Sequence, residues 1–519
     1  MANVKYNIKK NTYYDSVTLM ILSKDIKKKK GVQEALIGMG TDLNKEIAQN
    51  LGLSNSEITE ITPNDFFISI LADDEVEIED IMNDVDNLLN QKKKDRDNDY
   101  MPPTLDSAIK HEPQSNMVLI SIPGKYAADE VKKALNKGLN VMLFSDNVSI
   151  EEEKELKDLA VSQGLLMMGP DCGTAIINNV PLAFANVVKK GHIGVVGASG
   201  TGTQEVTVLI DKLGEGVSQV IGTGGRDLKK EIGGSMMLLG IEALMNDPET
   251  SVILLVSKPP AEEVAEKILK AVKDSPKPVV VHFIGGDRSI IEKYGAYPSC
   301  SLEDAARKAV ALLRNEEVED FDRFDLSDEK INRIVDEEVS KFAQEQKYFR
   351  GFYTGGTLAD EAMKLLSKDI KDIYSNIPLL PEYRMKDIRI STGNTCIDFG
   401  DDEFTVGKPH PMIDPLSRIE RLYQESNDDE MAVLLMDFVL GYGAHKDPVG
   451  EMIPSIIEAK EKMSSRGKYL SVIGYVCGTN SDPQSLEESK KRLEEIGVIV
   501  MPSNAQAVRL TGLILDKIK

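Results

Sequence analysis

The residues best suited to chemistry lie in short loops rich in glycine and hydroxyls. The sharpest is Gly194-Val-Val-Gly197-Ala-Ser199-Gly200-Thr201-Gly202-Thr203-Gln204-Glu205. An apolar run enters it and a helical pattern, Glu205 to Lys212, leaves it. Free N–H groups at such a helix start attract an anion, and Ser199, Thr201 and Thr203 add hydroxyl donors. No Gly-Lys-Ser/Thr follows, so it is not a P-loop, and it meets G-x-G-x-x-G only loosely. Taken alone, it reads equally well as a plain capped strand-to-helix turn. A second loop, Ile221-Gly222-Thr223-Gly224-Gly225-Arg226-Asp227, follows the next apolar run. There Arg226 suits a phosphate or carboxylate clamp, with a surface pair to Asp227 as the alternative. A third is Tyr353-Thr354-Gly355-Gly356-Thr357-Leu358, opening a helix near Ala359. A fourth is Leu440-Gly441-Tyr442-Gly443-Ala444-His445. Four such loops exceed what turn-making requires and favour an anion-handling cleft.

Of five histidines, His445 stands out, because the fourth loop reads as a helix start. A neutral imidazole there can donate to an oxyanion or act in general acid–base catalysis. His410, in Lys408-Pro409-His410-Pro411, reads as a rigid-loop residue, and His192 as a surface one. No HxxxH, HExxH or CxxC occurs, so no metal is implied. The four cysteines, Cys172, Cys300, Cys396 and Cys477, have no paired spacing. They read as core residues of a protein in a reducing cytosol, with Cys172 the one candidate for a reactive thiol.

The elements that must position these loops are short apolar runs alternating with amphipathic helical stretches. The clearest runs are Val17 to Leu22, Met117 to Ile120, Val141 to Phe144, Gly194 to Val196, Val252 to Val256 and Pro278 to Phe283. Ala432 to Met436, Leu470 to Val476 and Val498 to Met501 continue the series. Near-continuous apolar strands between helices mean parallel sheets covered on both faces. Ligands then collect at the carboxyl ends of the strands. The chain of 519 residues divides into three α/β domains, 12–188, 190–315 and 345–519, with an acidic, partly helical linker at 316–344. Its formal charge of −23 opposes phosphate-backbone binding, so no nucleic-acid partner is expected. No apolar run approaches a membrane span, and the amino terminus does not read as a signal peptide. A cytoplasmic protein is expected.

These residues resemble a known family. Met117 to about Leu313 is similar to the α-subunit of succinyl-CoA synthetase and related NDP-forming acyl-CoA ligases. Gly169-Pro170-Asp171-Cys172-Gly173 resembles that family's Gly-Pro-Asn-Cys turn. Ser199 to Glu205 resembles its Ser-Gly-Thr-Leu-Thr-Tyr-Glu loop, and Gly222-Thr223-Gly224-Gly225 its Gly-Ile-Gly-Gly. The carboxyl-terminal part resembles the β-subunit's last domain. There Cys396-Ile397-Asp398-Phe399-Gly400 matches Phe-Leu-Asp-Val-Gly, and Gly441 to His445 falls on a Gly-Gly-Ile-Val-Arg helix start. Both pieces in one chain, with Gly355-Gly356-Thr357 between them, resemble the FdrA proteins. The resemblance implies an α/β fold: a Rossmann-like CoA-binding-type domain, then two flavodoxin-like succinyl-CoA-synthetase-type domains.

In the ligases two glycine loops start helices that point at one phosphate. The resemblance implies that Ser199, Gly200, Thr201, Gly202 and Thr203 face Gly441, Tyr442, Gly443 and Ala444. Gly224, Gly225, Gly355, Gly356 and Thr357 line the same cleft, and His445 and Arg226 polarise or clamp the acyl end. Ser145, Asp146 and Asn147 fall where the family contacts CoA, which makes CoA the candidate cofactor and inorganic phosphate a substrate. The departures are specific. Tyr294-Gly295-Ala296-Tyr297-Pro298-Ser299 replaces the segment that carries the phosphoryl histidine. The nucleotide-grasping domain is missing, and Ser23 to Lys27 replaces the loop that grips CoA. What remains is acyl transfer to or from phosphate. For FdrA-type proteins this implies a subunit of oxamate carbamoyltransferase, converting oxalurate and phosphate to oxamate and carbamoyl phosphate in allantoin degradation. An acyl-CoA synthetase component and a non-catalytic regulatory subunit are the alternatives. Partners are expected to be further subunits of the same complex or a second copy of the chain.

Overall fold

Sheet type follows from how each apolar run is covered, and the chain uses both solutions. In the computed structural model, residues 3–12, 14, 16–73, 75–94, 102–406 and 408–518 are described. They group into two units, residues 1–111 with 402–409, and residues 112–401 with 410–519.

The first unit is an antiparallel sheet of β1 (Asn3–Lys9), β2 (Val32–Met39) and β3 (Phe66–Ala72), in the order β1-β3-β2. β3 is the central strand, and both its faces are covered. Ile68 and Ile70 pack with Leu19, Leu22 and Ile26 on one side. Phe67 packs with Leu53, Ile58 and Ile61 on the other. The run Val17 to Leu22, expected as a strand, lies inside the helix Ser16–Lys27. Leu19, Leu22 and Ile26 recur at three and four residues, which is helical spacing. The expected single domain over 12–188 is therefore divided, its first hundred residues forming this separate antiparallel unit.

The second unit holds three sheets. β4 (Met117–Ile120), β5 (Asn140–Leu143) and β6 (Met167–Met168) form a small parallel one. β7 (Thr174–Ile177) and β8 (Val180–Ala183) form a hairpin on the edge of a larger one. That sheet continues with β9 (Lys190–Ala198), β10 (Val217–Gly222), β11 (Val252–Ser257), β12 (Val279–Phe283) and β13 (Tyr297–Pro298), in the order β13-β12-β11-β9-β10-β7-β8. The third sheet is all parallel: β14 (Tyr348–Tyr353), β15 (Ile373–Ser375), β16 (Asn394–Asp398), β17 (Met431–Val439), β18 (Ser471–Cys477) and β19 (Ile499–Met501). Its order is β15-β16-β14-β17-β18-β19. β17 is buried along its whole length, as a parallel strand covered by helices on both faces must be. The α/β class with parallel, doubly covered sheets is the one the apolar runs predict.

The acidic segment 316–344 is not a free linker. Its helix Asp328–Val339 buries Ile331, Val335 and Glu338 and packs on the carboxyl-terminal helix Asn504–Ile518. Asp325 N donates to Gln506 Oε1 at 3.0 Å, and Gln506 Nε2 donates to Glu303 Oε1 at 2.7 Å. Asp328, Glu329, Asp336 and Glu337 stay exposed, while Ile331, Val335 and even Glu338 are buried and make the helix part of the core.

Candidate functional site

Two helix starts meet at the carboxyl edges of the two large sheets. The helix Gly200–Lys212 leaves β9 with Ser199 as its N-cap. The helix Gly356–Leu366 leaves β14 with Gly355 as its N-cap, which offers no capping side chain to the first amides. Ser199 Oγ and Thr357 Oγ1 are hydrogen-bonded at 2.6 Å, and Ser199 Oγ also accepts from Gly202 N at 3.0 Å. A methyl on Gly355 would lie 2.3 Å from Thr201 Cγ2, and one on Gly202 would lie 2.7 Å from Thr357 Cγ2. The backbones approach this closely only because glycine stands at both positions. Two positive dipole ends and the hydroxyls of Ser199, Thr201 and Thr357 thus converge on one spot, which suits a tetrahedral oxyanion, whereas Thr203, also expected to donate there, is fully buried and gives its hydroxyl to Ser199 O.

The turn into the second helix is held from behind. Thr354 donates its N–H to Asp437 Oδ1 at 3.0 Å and its hydroxyl to Asp437 Oδ2 at 2.6 Å. Arg418 Nη2 sits 3.2 Å from Asp437 Oδ1 and donates to the carbonyls of Phe352 and Asp437. Asp437 and Arg418 are both buried. Burial raises the Asp437 carboxyl, against Arg418 and the two donors from Thr354. Neither residue belongs to a local motif.

The expected partner of the Ser199 loop is corrected. Gly441 to Ala444 do not face it; Gly355 to Thr357 do. The Gly441 loop packs instead on the strap Ala183–Asn186. Tyr442 N donates to Ala185 O at 2.9 Å, and a methyl on Gly443 would lie 2.8 Å from the Phe184 ring. The strap in turn reaches the first loop, because Thr174 Oγ1 donates to Phe184 O at 2.7 Å and lies 3.4 Å from Gly200 O. The Gly441 loop therefore lies on the same edge, one layer away. The amides of Gly441, Tyr442 and His445 are already committed to Gln484, Ala185 and Met412. The loop is not a helix start either: the next helix begins at Pro448, capped by Asp447. His445 Nδ1 accepts from Asp447 N at 3.1 Å, which uses that nitrogen to shape the loop.

Arg226 is also spoken for. Its Nη2 donates to Val148 O at 2.7 Å and lies 2.8 Å from Glu153 Oε2, so it ties its loop to the helix Ile150–Ser162 and is no clamp in the cradle. Asp227 pairs with the fully buried Lys157 at 2.9 Å, not with Arg226. Gly224, at φ +84, passes against Pro170 O, and Gly225 faces Asp171. Ser145 is buried with its Oγ accepting from Ile122 N at 3.0 Å. Asp146 and Asn147 are exposed, and their carbonyls press on Gly124 at the next helix start. Cys172 is buried against Gly222, and burial pushes its thiol up to about 12. It is no reactive thiol at neutral pH.

Sequence reading missed Lys258 and Asp360, and it placed Asp398 in the Cys396 to Gly400 resemblance without giving it a role. Lys258 Nζ lies 3.1 Å from Asp360 Oδ2. A methyl on Gly356 would fall 2.6 Å from Lys258 Nζ and 2.7 Å from Asp398 Oδ2. One signal could have found Lys258: it directly follows β11, at the carboxyl edge where ligands gather.

Three family models match the chain: an AllF heavy metal-associated domain over residues 1–102, a CoA binding domain over 188–285, and a CoA-ligase over 352–514. The uncharacterised protein YahF of Escherichia coli strain K12 is 46% identical over 512 residues, covering 99% of this chain and 98% of that protein. The ADP-forming sulfoacetate-CoA ligase subunit SqwL of Acholeplasma is 30% identical over 190 residues, or 35% of this chain and 62% of that one. The ADP-forming succinate–CoA ligase α-subunit of Aquifex aeolicus is 31% identical over 194 residues, or 35% and 60%. The chain thus spans about 60% of the length of those two ligase subunits. The heavy-metal name of the first model does not suit these residues. The first unit contains no cysteine, and no group of three His, Cys, Asp or Glu side chains among the described residues is placed to hold a metal. Among the described residues no helix is long and apolar enough to cross a membrane.

Proposed function

This chain belongs to the family of the Escherichia coli protein YahF and carries the CoA-binding and CoA-ligase domains of the acyl-CoA ligase superfamily, and we propose that it is an acyl-transfer subunit in which phosphate is held between the Ser199 and Gly355 helix starts. The 2.6 Å contact between Ser199 Oγ and Thr357 Oγ1 carries this reading, because it fixes both helix N-termini on one point. Phosphate held there attacks the acyl carbon. The new bond is carbon to phosphate oxygen, the acyl carbon parts from its carrier, and the proton lost by phosphate leaves on the carrier. The converging amides and hydroxyls stabilise the charge on phosphate and on the tetrahedral intermediate. The ligase superfamily makes a CoA thioester the first carrier to consider, with CoA leaving as the thiol. Ser145 to Asn147, in the loop that leaves β5, are the residues to test for CoA contact.

A carbamoyl group is the second reading, and one observation favours it. By the resemblance to the ligases, Tyr294 to Ser299 stands where they hold the phosphoryl histidine, and this stretch contains no histidine. Its Ser299 is buried, with Oγ 2.9 Å from His282 Nδ1, while Tyr297 lies on the edge strand β13. A chain with no carrier here needs only the acyl–phosphate half-reaction. With oxalurate the C–N bond breaks, oxamate nitrogen takes the proton, and carbamoyl phosphate forms. The chain is co-expressed with its neighbouring gene products and supplied with phosphate and either acyl-CoA or oxalurate. Hydroxylamine then traps any acyl phosphate. Phosphate-dependent hydroxamate from acyl-CoA supports the first reading, and phosphate-dependent hydroxyurea from oxalurate the second. Absence of both, with the complex intact, rejects an acyl-transfer role.

A further inference from the structure

Beyond the two helix starts, three side chains from separate elements surround the first turn of the Gly356 helix. Lys258 follows β11, Asp398 ends β16, and Asp360 lies one turn along the helix itself. Lys258 Nζ is 3.1 Å from Asp360 Oδ2. Lys258 Nζ and Asp398 Oδ2 flank one backbone position, Gly356, where a methyl would collide with both. Asp398 Oδ1 is fixed by Gly400 N at 2.9 Å. The Lys258 side chain is 41% exposed and that of Asp360 11%, so of the pair Lys258 is the member open to solvent.

The charges around this point decide what it can hold. Asp398 faces Lys258 from β11, Asp360 from the Gly356 helix and Asp401 from the loop that follows it. His410 Nε2 lies 2.8 Å from the place of a Gly400 methyl, and burial pushes His410 down to about 4, so it is neutral. Asp171 adds a further negative charge near Lys258. Burial pushes Asp398 up to about 7, against the pull of Lys258. Burial also disfavours the Lys258 ammonium, but Asp360 and Asp398 outweigh it and the net effect is upward. Lys258 is therefore a cation and no nucleophilic amine. A dianion arriving here meets one ammonium amid several carboxylates, and the cheapest relief of the repulsion is a proton on the carboxyl nearest neutrality.

We infer that Lys258 is the cationic clamp of the phosphate cradle and that Asp398 takes up a proton when a phosphate-class dianion occupies it. The inference rests on the phosphate reading above and adds a charge partner and a proton stoichiometry to it. Calorimetric titration of the full chain with inorganic phosphate tests the clamp. Titration with sulfate, a dianion that does not itself titrate near neutrality, in buffers of different ionisation heat tests the proton. Lys258→Met should weaken phosphate binding by about tenfold or more, the loss of one charge-assisted contact, and Lys258→Arg should restore most of it. Sulfate binding to the wild type should draw protons from buffer near pH 7, whereas Asp398→Asn should bind sulfate without proton uptake. Unchanged phosphate affinity in Lys258→Met, with binding lost in Thr357→Val, would overturn the clamp and leave the phosphate reading standing. Equal proton uptake in Asp398→Asn would overturn the proton role. A wild type that binds neither anion at millimolar concentration would overturn this inference and the phosphate reading together. Lys258→Arg guards against misfolding as the cause of any loss.

Discussion

Ser199 Oγ and Thr357 Oγ1 stand 2.6 Å apart although 158 residues separate them in sequence. The two residues differ in what else they do. Ser199 also caps its helix through Gly202 N, whereas Thr357 sits inside the first turn of its own helix with its γ-methyl against Gly202. Thr357→Val keeps the shape and removes only the hydroxyl. It should lower phosphate affinity by about tenfold or more and cost about 1 kcal/mol of stability for the buried hydrogen bond it breaks. Ser199→Ala removes a cap as well and should cost about 1 kcal/mol of stability in addition. Anion titration beside thermal unfolding separates the two effects. Equal losses of stability in both variants would mean that the pair only holds the fold.

The close approach of the two backbones makes a second expectation. A methyl at Gly355 has Thr201 Cγ2 at 2.3 Å and Thr201 Oγ1 at 2.8 Å. Gly355→Ala must therefore push the helix starts apart, at an overpacking cost of about 1–3 kcal/mol. Adding Thr201→Ala removes both clashing atoms and leaves Cβ at 3.1 Å. The double variant should thus be more stable than Gly355→Ala alone, a coupling read from a double-mutant cycle of unfolding free energies. Strict additivity would place the two residues apart.

The first loop was legible because strand, hydroxyls, glycine and helix are contiguous from Gly194 to Glu205. Its partner was not, since the Gly355 and Gly441 loops both follow strands of one sheet, β14 and its neighbour β17, and look alike locally. Which of them meets Ser199 is a tertiary fact, decided by the strap Ala183–Asn186 occupying the Gly441 loop. Lys258, Asp360, Asp398 and Asp437 come from four elements with no shared spacing, so nothing local joined them, although Asp398 stood inside the Cys396 to Gly400 resemblance without a role. Val17 to Leu22 misled for a different reason: a short apolar run fits a strand or the buried stripe of a helix equally well.

Asp437 anchors the second helix start through Thr354, and its own charge is met by Arg418 at 3.2 Å. Removing one member of a buried pair strands the other. Arg418→Met should therefore cost about 3–5 kcal/mol, visible as a lower denaturation midpoint. Asp437→Asn strands the Arg418 charge in its turn and also replaces one of the two oxygens that accept from Thr354, so it should cost at least as much. A cost for Asp437→Asn well below that of Arg418→Met would mean that neither the pair nor the turn at Thr354 carries the stability.

Glu205, on the helix that Ser199 caps, gives a pH signature distinct from the site. It is fully buried where that helix meets the carboxyl-terminal one, with Oε1 accepting from Asn504 N at 3.3 Å. Burial pushes its carboxyl up to about 8. The folded state thus holds a proton that the unfolded chain releases at the ordinary carboxylate pKa. Its contribution is complete below that value and is lost as pH rises through about 8, because the unfolded state binds fewer protons across this window. The slope from this one group is at most about 1.4 kcal/mol per pH unit. Denaturant unfolding at several pH values between weakly acidic and weakly alkaline should show stability falling as pH rises, and Glu205→Gln should flatten that fall. An unchanged slope in Glu205→Gln would mean that Glu205 is already ionised in the folded protein, with Lys212 as its counter-charge.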